Sequence, residues 1–132
     1  MGAARLLHAS PVLCVDEAGP TIDYLVDKLG FHVQNSVGEP VAWASMQRDD
    51  IELMLLADRS YPKPAQDWAA YVFIDDADEL YEEVLALGAD IKSPPADKPY
   101  HNREFEVRLP DGRILAFGAN LLEEDELEED DE

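Results

Sequence analysis

The residues of this 132-residue chain whose types could do chemistry are few and scattered. His8 and His101 can carry protons or ligate a metal. Glu52 and Glu106 can draw a cation, and Arg108, two positions from Glu106, can pair with either acid or hold a ligand carboxylate. Trp43 and Tyr71 can stack on a flat ring. Cys14 lies inside an apolar run, and the sequence suggests no Ser-His-Asp arrangement for nucleophilic catalysis. It also contains no glycine-rich phosphate loop and no cysteines at metal-binding spacing.

Placing these side chains falls mainly to β structure. Phe105, Val107 and Leu109 alternate with Glu104, Glu106 and Arg108, a period of two that turns one face to a core. Pro110-Asp111-Gly112 supplies a turn, proline presetting φ and glycine accepting a positive one. Leu115 and Phe117 then alternate with Ile114 and Ala116, so the spacing predicts a hairpin over 103–118. Upstream, an apolar run at 11–15 reads as a strand. A helix follows from Pro20 or Thr21, with Ile22, Leu25, Val26 and Leu29 on one stripe and Gly30 as its cap. Strands are expected at 31–33, 41–47 and 51–56.

The same order then restarts. A strand at 70–74 precedes a helix over 77–87, with Leu80, Tyr81, Val84 and Leu87 on one stripe and Gly88 as cap. A strand opens at 89–91, and a loop rich in proline and lysine over 93–98 leads to the hairpin. The chain thus reads as α+β, an internal duplication of a β-α-β-β-β unit. The copies span about 9–57 and 68–120, joined by a linker over 58–67, within one domain over 1–121. A helix covers one face of each sheet, so the other face must meet a cavity, the other copy or another subunit.

Charge narrows the partners. The formal net charge is −20, and nine of the last ten residues are acidic, yet without them 21 acids still face 10 Lys and Arg. So acidic a body disfavours nucleic acid, and residues 122–132 read as a disordered acidic tail. No apolar run approaches the roughly 20 residues of a membrane span. The opening residues are too short and interrupted for a signal peptide. The single Cys14 has no internal disulfide partner, so a cytoplasmic location is expected.

Several segments, taken in order, carry a family resemblance. They are Pro11-Val12-Leu13-Cys14-Val15-Asp16 with Tyr24 and Leu29-Gly30-Phe31; Ile51-Glu52-Leu53-Met54-Leu55; Asp75-Asp76 with Leu80-Tyr81 and Leu87-Gly88-Ala89; and Arg103-Glu104-Phe105 leading into Pro110-Asp111-Gly112. Over residues 10–120 the chain resembles the vicinal oxygen chelate superfamily, which includes glyoxalase I, bleomycin-resistance proteins and ring-cleaving dioxygenases. The resemblance implies two modules curled into a cup-like mixed sheet, and pairing as a homodimer. In the family's metal enzymes four strands each give one His or Glu ligand. Those positions fall here on Ala9, Ala69, Ala116 and either Glu52 or Met54, and a methyl group offers no lone pair where about three or more ligands are wanted.

With these alanines marking the cup side, parity assigns Leu13, Glu52, Met54, Tyr71, Phe73, Glu106 and Arg108 to a ligand pocket, with Pro11 and Ile114 beside them. Trp43, Ser45 and Gln47 join from the neighbouring strand. Parity sends Cys14 to the core and His8 to the wrong face. The resemblance therefore implies a metal-free, cofactor-free, non-catalytic protein of the bleomycin-resistance branch that binds a small molecule, with sequestration of an aromatic or cationic toxic compound as the precedent. The alternative is a metal-dependent lyase or dioxygenase with a displaced site of His8, Glu52 and His101, His8 being brought inward by a bulge.

Overall fold

The computed structural model describes residues 3–60 and 68–122. Its elements run β1 (Val12–Val15), α1 (Ala18–Leu29), β2 (His32–Val37), β3 (Trp43–Arg48), β4 (Ile51–Ala57), β5 (Trp68–Ile74), α2 (Ala77–Ala86), β6 (Ile91–Asp97), β7 (Asn102–Arg108) and β8 (Ile114–Asn120). They make two separate four-stranded sheets, ordered β1-β4-β3-β2 and β5-β8-β7-β6. The first strand of each copy runs parallel to the last, β1 to β4 and β5 to β8, and the other pairs are antiparallel. The expected duplication is therefore present in topology as well as order.

Each helix forms where apolar spacing and end chemistry agree. In α1 the buried stripe is Ala18, Thr21, Leu25 and Leu29. Val26, expected on that stripe, is exposed. Helix α1 also begins earlier than expected, at Ala18, so Pro20 sits in the first turn, where its missing N–H leaves no bond unmade. Gly30 ends it in the left-handed region at φ 75°, its N–H donating to Leu25 O. In α2 the Asp76 carboxylate caps the Glu79 N–H at 3.0 Å, with Asp78 and Glu79 in the positive first turn.

The stretch expected as a loop over 93–98 is instead mostly strand β6. Pro94 and Pro95 fit there because β6 pairs only with β7, and its register slips on both sides of Ser93. An edge strand has N–H positions that need no ladder partner, which is where proline costs least.

One apolar cluster runs under both helices, from Leu25, Leu29 and Leu55 through Val84 to Phe105 and Phe117. Phe105 stacks on Phe117 with centroids 5.3 Å apart and meets the edge of Tyr81 at 5.6 Å. Polar ties between described residues help hold the modules together. The Tyr24 hydroxyl accepts from the Asp90 N–H at 2.8 Å, Arg48 reaches Glu83 at 2.9 Å, and buried Arg113 donates to the Cys14 carbonyl at 2.9 Å. Neither helix is long and apolar enough to cross a membrane. The linker from 61 onward, and the acidic tail beyond Leu122, lie outside the described residues.

Candidate functional site

The richest chemistry lies on the face of the second sheet turned away from α2. Two small residues of β8, Ala116 and Gly118, give that face a flat floor. A Cβ built on Gly118 would come within 2.6 Å of Tyr71 Cζ, and closer still to its hydroxyl oxygen, so the phenol lies directly against the strand. Trp68, Tyr71 and Phe73 follow one another with successive centroids 5.0 Å apart. A register shift between Trp68 and Ala70 brings Trp68 to Tyr71's face although three positions separate them. Trp68 is 47% exposed and Phe73 69%, so this aromatic ladder is an open surface.

Two carboxylates of β7 flank the ladder. Glu104, 3% exposed, accepts from the Tyr71 hydroxyl at 3.0 Å and from the Tyr100 hydroxyl, while Asn102 Nδ2 donates to the Tyr71 oxygen at 2.9 Å. Glu106 accepts from Trp68 Nε1 at 2.6 Å and Ser93 Oγ at 2.7 Å, with Lys92 Nζ at 3.6 Å. Burial alone would raise the Glu106 pKa, but these donors and the Lys92 charge outweigh it and hold the carboxyl below its ordinary range. Burial and the neighbouring Glu104 raise the phenol pKa of Tyr71 and of Tyr100. Glu104 is thus held by neutral donors, and the face keeps a negative charge beside exposed aromatic rings.

The corresponding face of the first sheet is polar and less aromatic. Ser45 Oγ lies 2.6 Å from Glu52 Oε2 and 2.8 Å from Gln34 Oε1. Ser10 Oγ donates to the Glu52 carbonyl at 3.2 Å. His8 Nε2 stands 3.4 Å from Glu52 Oε1, a buried oxygen that has no hydrogen bond in the structure. Trp43, Met54 and Leu56 share the face, as the pairing of Ser45 with Met54 and Trp43 with Leu56 requires.

Of the side chains that parity groups together, most lie on the two open sheet faces: Trp43, Ser45, Gln47, Glu52 and Met54 on the first, Tyr71, Phe73, Glu106 and Arg108 on the second. Leu13 does not. It pairs with Leu55 under α1 and is 1% exposed, part of the core. The phase of β1 is one residue off the expected one, and such a slip turns every side chain over. His8 consequently faces Glu52, and the Cys14 side chain takes the side away from α1, opposite to expectation. Two further side chains are engaged elsewhere: Gln47 Nε2 donates to the Asp49 carbonyl at 2.7 Å, and Arg108 pairs with Asp90 at 3.1 Å and with neither glutamate.

Sequence reasoning misses Trp68, Glu104, Tyr100, Asn102 and Gln34. Parity with Glu106 was signal enough for Glu104, but the bulge hides Trp68, and Tyr100 reaches the site from a loop. His101 does not join His8 and Glu52. It occupies a turn at φ 68° through its backbone, and among the described residues no three His, Cys, Asp or Glu side chains gather closely enough to share an ion. The fold's metal-ligand set is thus not met: His8 and Glu52 supply two donors, while Ala116 supplies a methyl group between Tyr71 and Glu106.

Comparison with known proteins agrees with this geometry. Three solved structures are similar over 89% of this chain. TioX from Micromonospora sp. ML1 is 22% identical, with 98% of that chain covered and a TM-score of 0.67. The bleomycin-binding protein of bleomycin-producing Streptomyces verticillus, solved with copper(II)-bleomycin, is 25% identical, 99% covered and at 0.70. A bleomycin resistance determinant encoded on the transposon Tn5 is 20% identical, 100% covered and at 0.73. No curated protein matches the sequence. The family model for the Glyoxalase/Bleomycin resistance protein/Dioxygenase superfamily matches residues 5–117, and the chain belongs to that superfamily.

Proposed function

We propose that this protein binds a small aromatic or cationic molecule without transforming it, in the manner of the bleomycin-binding members of its superfamily. The observation that carries the reading is the exposed Trp68–Tyr71–Phe73 ladder with Glu104 and Glu106 beside it. Aromatic faces attract planar rings and cations, and buried or hydrogen-bonded carboxylates add charge that water does not fully screen. The protein works as a cytoplasmic homodimer in this reading, and needs no metal. Exposed Val12 and Leu56 on one open face, and Trp68 and Phe73 on the other, are apolar surface that a second copy would cover.

Calorimetric titration with bleomycin, and separately with a planar aromatic cation such as proflavine, tests the reading. Saturable binding that weakens at least tenfold in Trp68→Ala and in Glu106→Gln is expected. Absence of saturable binding to both probes, or equal affinity in both variants, overturns it. A metal-dependent lyase or dioxygenase is the second reading, favoured by the 3.4 Å approach of His8 to Glu52. Stoichiometric metal retained through purification and lost in His8→Ala and Glu52→Ala would replace the first reading with this one.

A further inference from the structure

A crevice of about 410 Å³ opens between the modules on the helix side of both sheets, meeting the aromatic face just described only at Phe73. Such a volume falls within the range of small-molecule sites. Its walls come from both copies: Leu29, Phe31 and Ile51 from the first, and Val72, Val84 and Phe117 from the second. All but Ile51 are buried, so the floor is apolar on both sides, and apolar cavities hold water poorly.

The mouth has the opposite character. The turn between β3 and β4 contributes Asp49 and Asp50, and the end of β5 contributes Asp75. Arg48, the cation of the lining, is already engaged. Its guanidinium donates to the Leu29 carbonyl at 2.9 Å and pairs with Glu83 at 2.9 Å and, more loosely, with Asp49 at 3.6 Å. Asp50 and Asp75 make no ion pair among the described residues. The balance of charge at the rim is therefore negative above an apolar floor.

The geometry points to a second ligand site in this crevice, one that takes a small amphipathic amine: an aryl or short alkyl body between the modules and an ammonium group at Asp50 and Asp75. A carboxylate of the same shape would meet three acids and an arginine already neutralised, so charge selects the amine. Of the aromatic face only Phe73 borders this crevice, and neither the amine's charge selection nor the methyl contacts depend on it, so either reading can fail without the other.

The test uses 2-phenylethylamine as probe and 3-phenylpropionate as its anionic match, read by carbon–proton correlation spectra of the methyl groups in the full chain. The amine is expected to shift the Leu29, Ile51, Val72 and Val84 methyls saturably, and the acid is expected to bind at least about tenfold more weakly. The double variant Asp50→Asn/Asp75→Asn should lose about tenfold in affinity, as two rim charges warrant. Leu80→Trp, from a half-buried lining residue, should block the site by filling it. Equal binding of amine and acid, unchanged affinity in the charge variant, or shifts confined to Met54 and the open faces overturns the site. Should Leu80→Trp fail to fold, the exposed charge variant alone decides.

Discussion

Replacing Gly118 by Ala is the most incisive test of the aromatic face. A methyl group at this position would sit 2.6 Å from Tyr71 Cζ and 2.9 Å from Cε1, distances that real contacts do not tolerate. The Gly118 backbone itself can accept alanine, and removing a strand glycine should by itself stabilise by about 0.5–1 kcal/mol. The cost comes entirely from Tyr71, which must lift off the strand and release its bonds to Glu104 at 3.0 Å and Asn102 at 2.9 Å. A hydrogen bond to a charged, buried acceptor contributes about 1.5–3 kcal/mol. Less the glycine gain, the Glu104 bond alone leaves an expected loss of about 0.5–2.5 kcal/mol, to which the Asn102 bond adds, with a melting temperature lower by several degrees. Urea denaturation and thermal melting of Gly118→Ala measure it, with Tyr71→Ala as the second arm. In that background the methyl group has room, so the same change should be neutral or stabilising, and the coupling appears as a non-additive cycle. A neutral or stabilising Gly118→Ala in the otherwise native chain, or the same loss in both backgrounds, would mean that Tyr71 does not rest against Gly118.

Other consequences can be measured alongside it. The phenols of Tyr24, Tyr71 and Tyr100 have pKa values raised above 10.0, burial being the first cause in each. Above that pH the unfolded chain gives up these protons while the folded chain keeps them, so stability should be intact below pH 10 and fall as pH rises beyond it, checked by denaturation at alkaline pH with tyrosinate absorbance. Trp68→Phe keeps a ring but removes the Nε1 donor to Glu106, so the Glu106 pKa should rise toward its ordinary value, visible in carboxyl NMR titration. Ser45→Ala removes the 2.6 Å donor to part-buried Glu52 and should cost about 1–3 kcal/mol in urea unfolding. Arg113→Ala should cost a comparable amount, because it frees the Cys14 carbonyl and Asp111 together and loosens the junction of the modules.

The duplication and most element boundaries could be read from the sequence because they rest on local chemistry. Gly30 and Gly112 adopt the positive φ their positions imply, and the Pro110-Asp111-Gly112 turn joins β7 to β8 as its composition suggests. Face assignments were legible only where a strand is regular. On β7, counting by two from Glu106 reaches Glu104 and Arg108 correctly. On β1 the regular strand begins only at Val12, so a count by two from Ala9 exchanges Leu13 and His8 between faces. Trp68 was hidden by the bulge before Ala70, and β6 by prolines that only an edge strand admits. Asn102 opens β7 at the same parity as Glu104, whereas Tyr100 became visible only with the backbone, since nothing local says which way a loop delivers its side chains.

The two copies share a scaffold but have divided the work of their open faces. Register makes the correspondence explicit: Leu13 pairs with Leu55 as Val72 pairs with Phe117, so Met54 and Leu56 of the first sheet answer Ala116 and Gly118 of the second. Over the bulky pair, β1 places Val12 and Cys14; over the small pair, β5 places Tyr71 and Phe73. The small residue at 116, where the family resemblance would place a metal ligand, therefore has a role of its own. With Gly118 it clears the floor against which the Tyr71 phenol rests as it reaches buried Glu104. Space, in this module, is what the small side chains contribute, and the aromatic ladder depends on it.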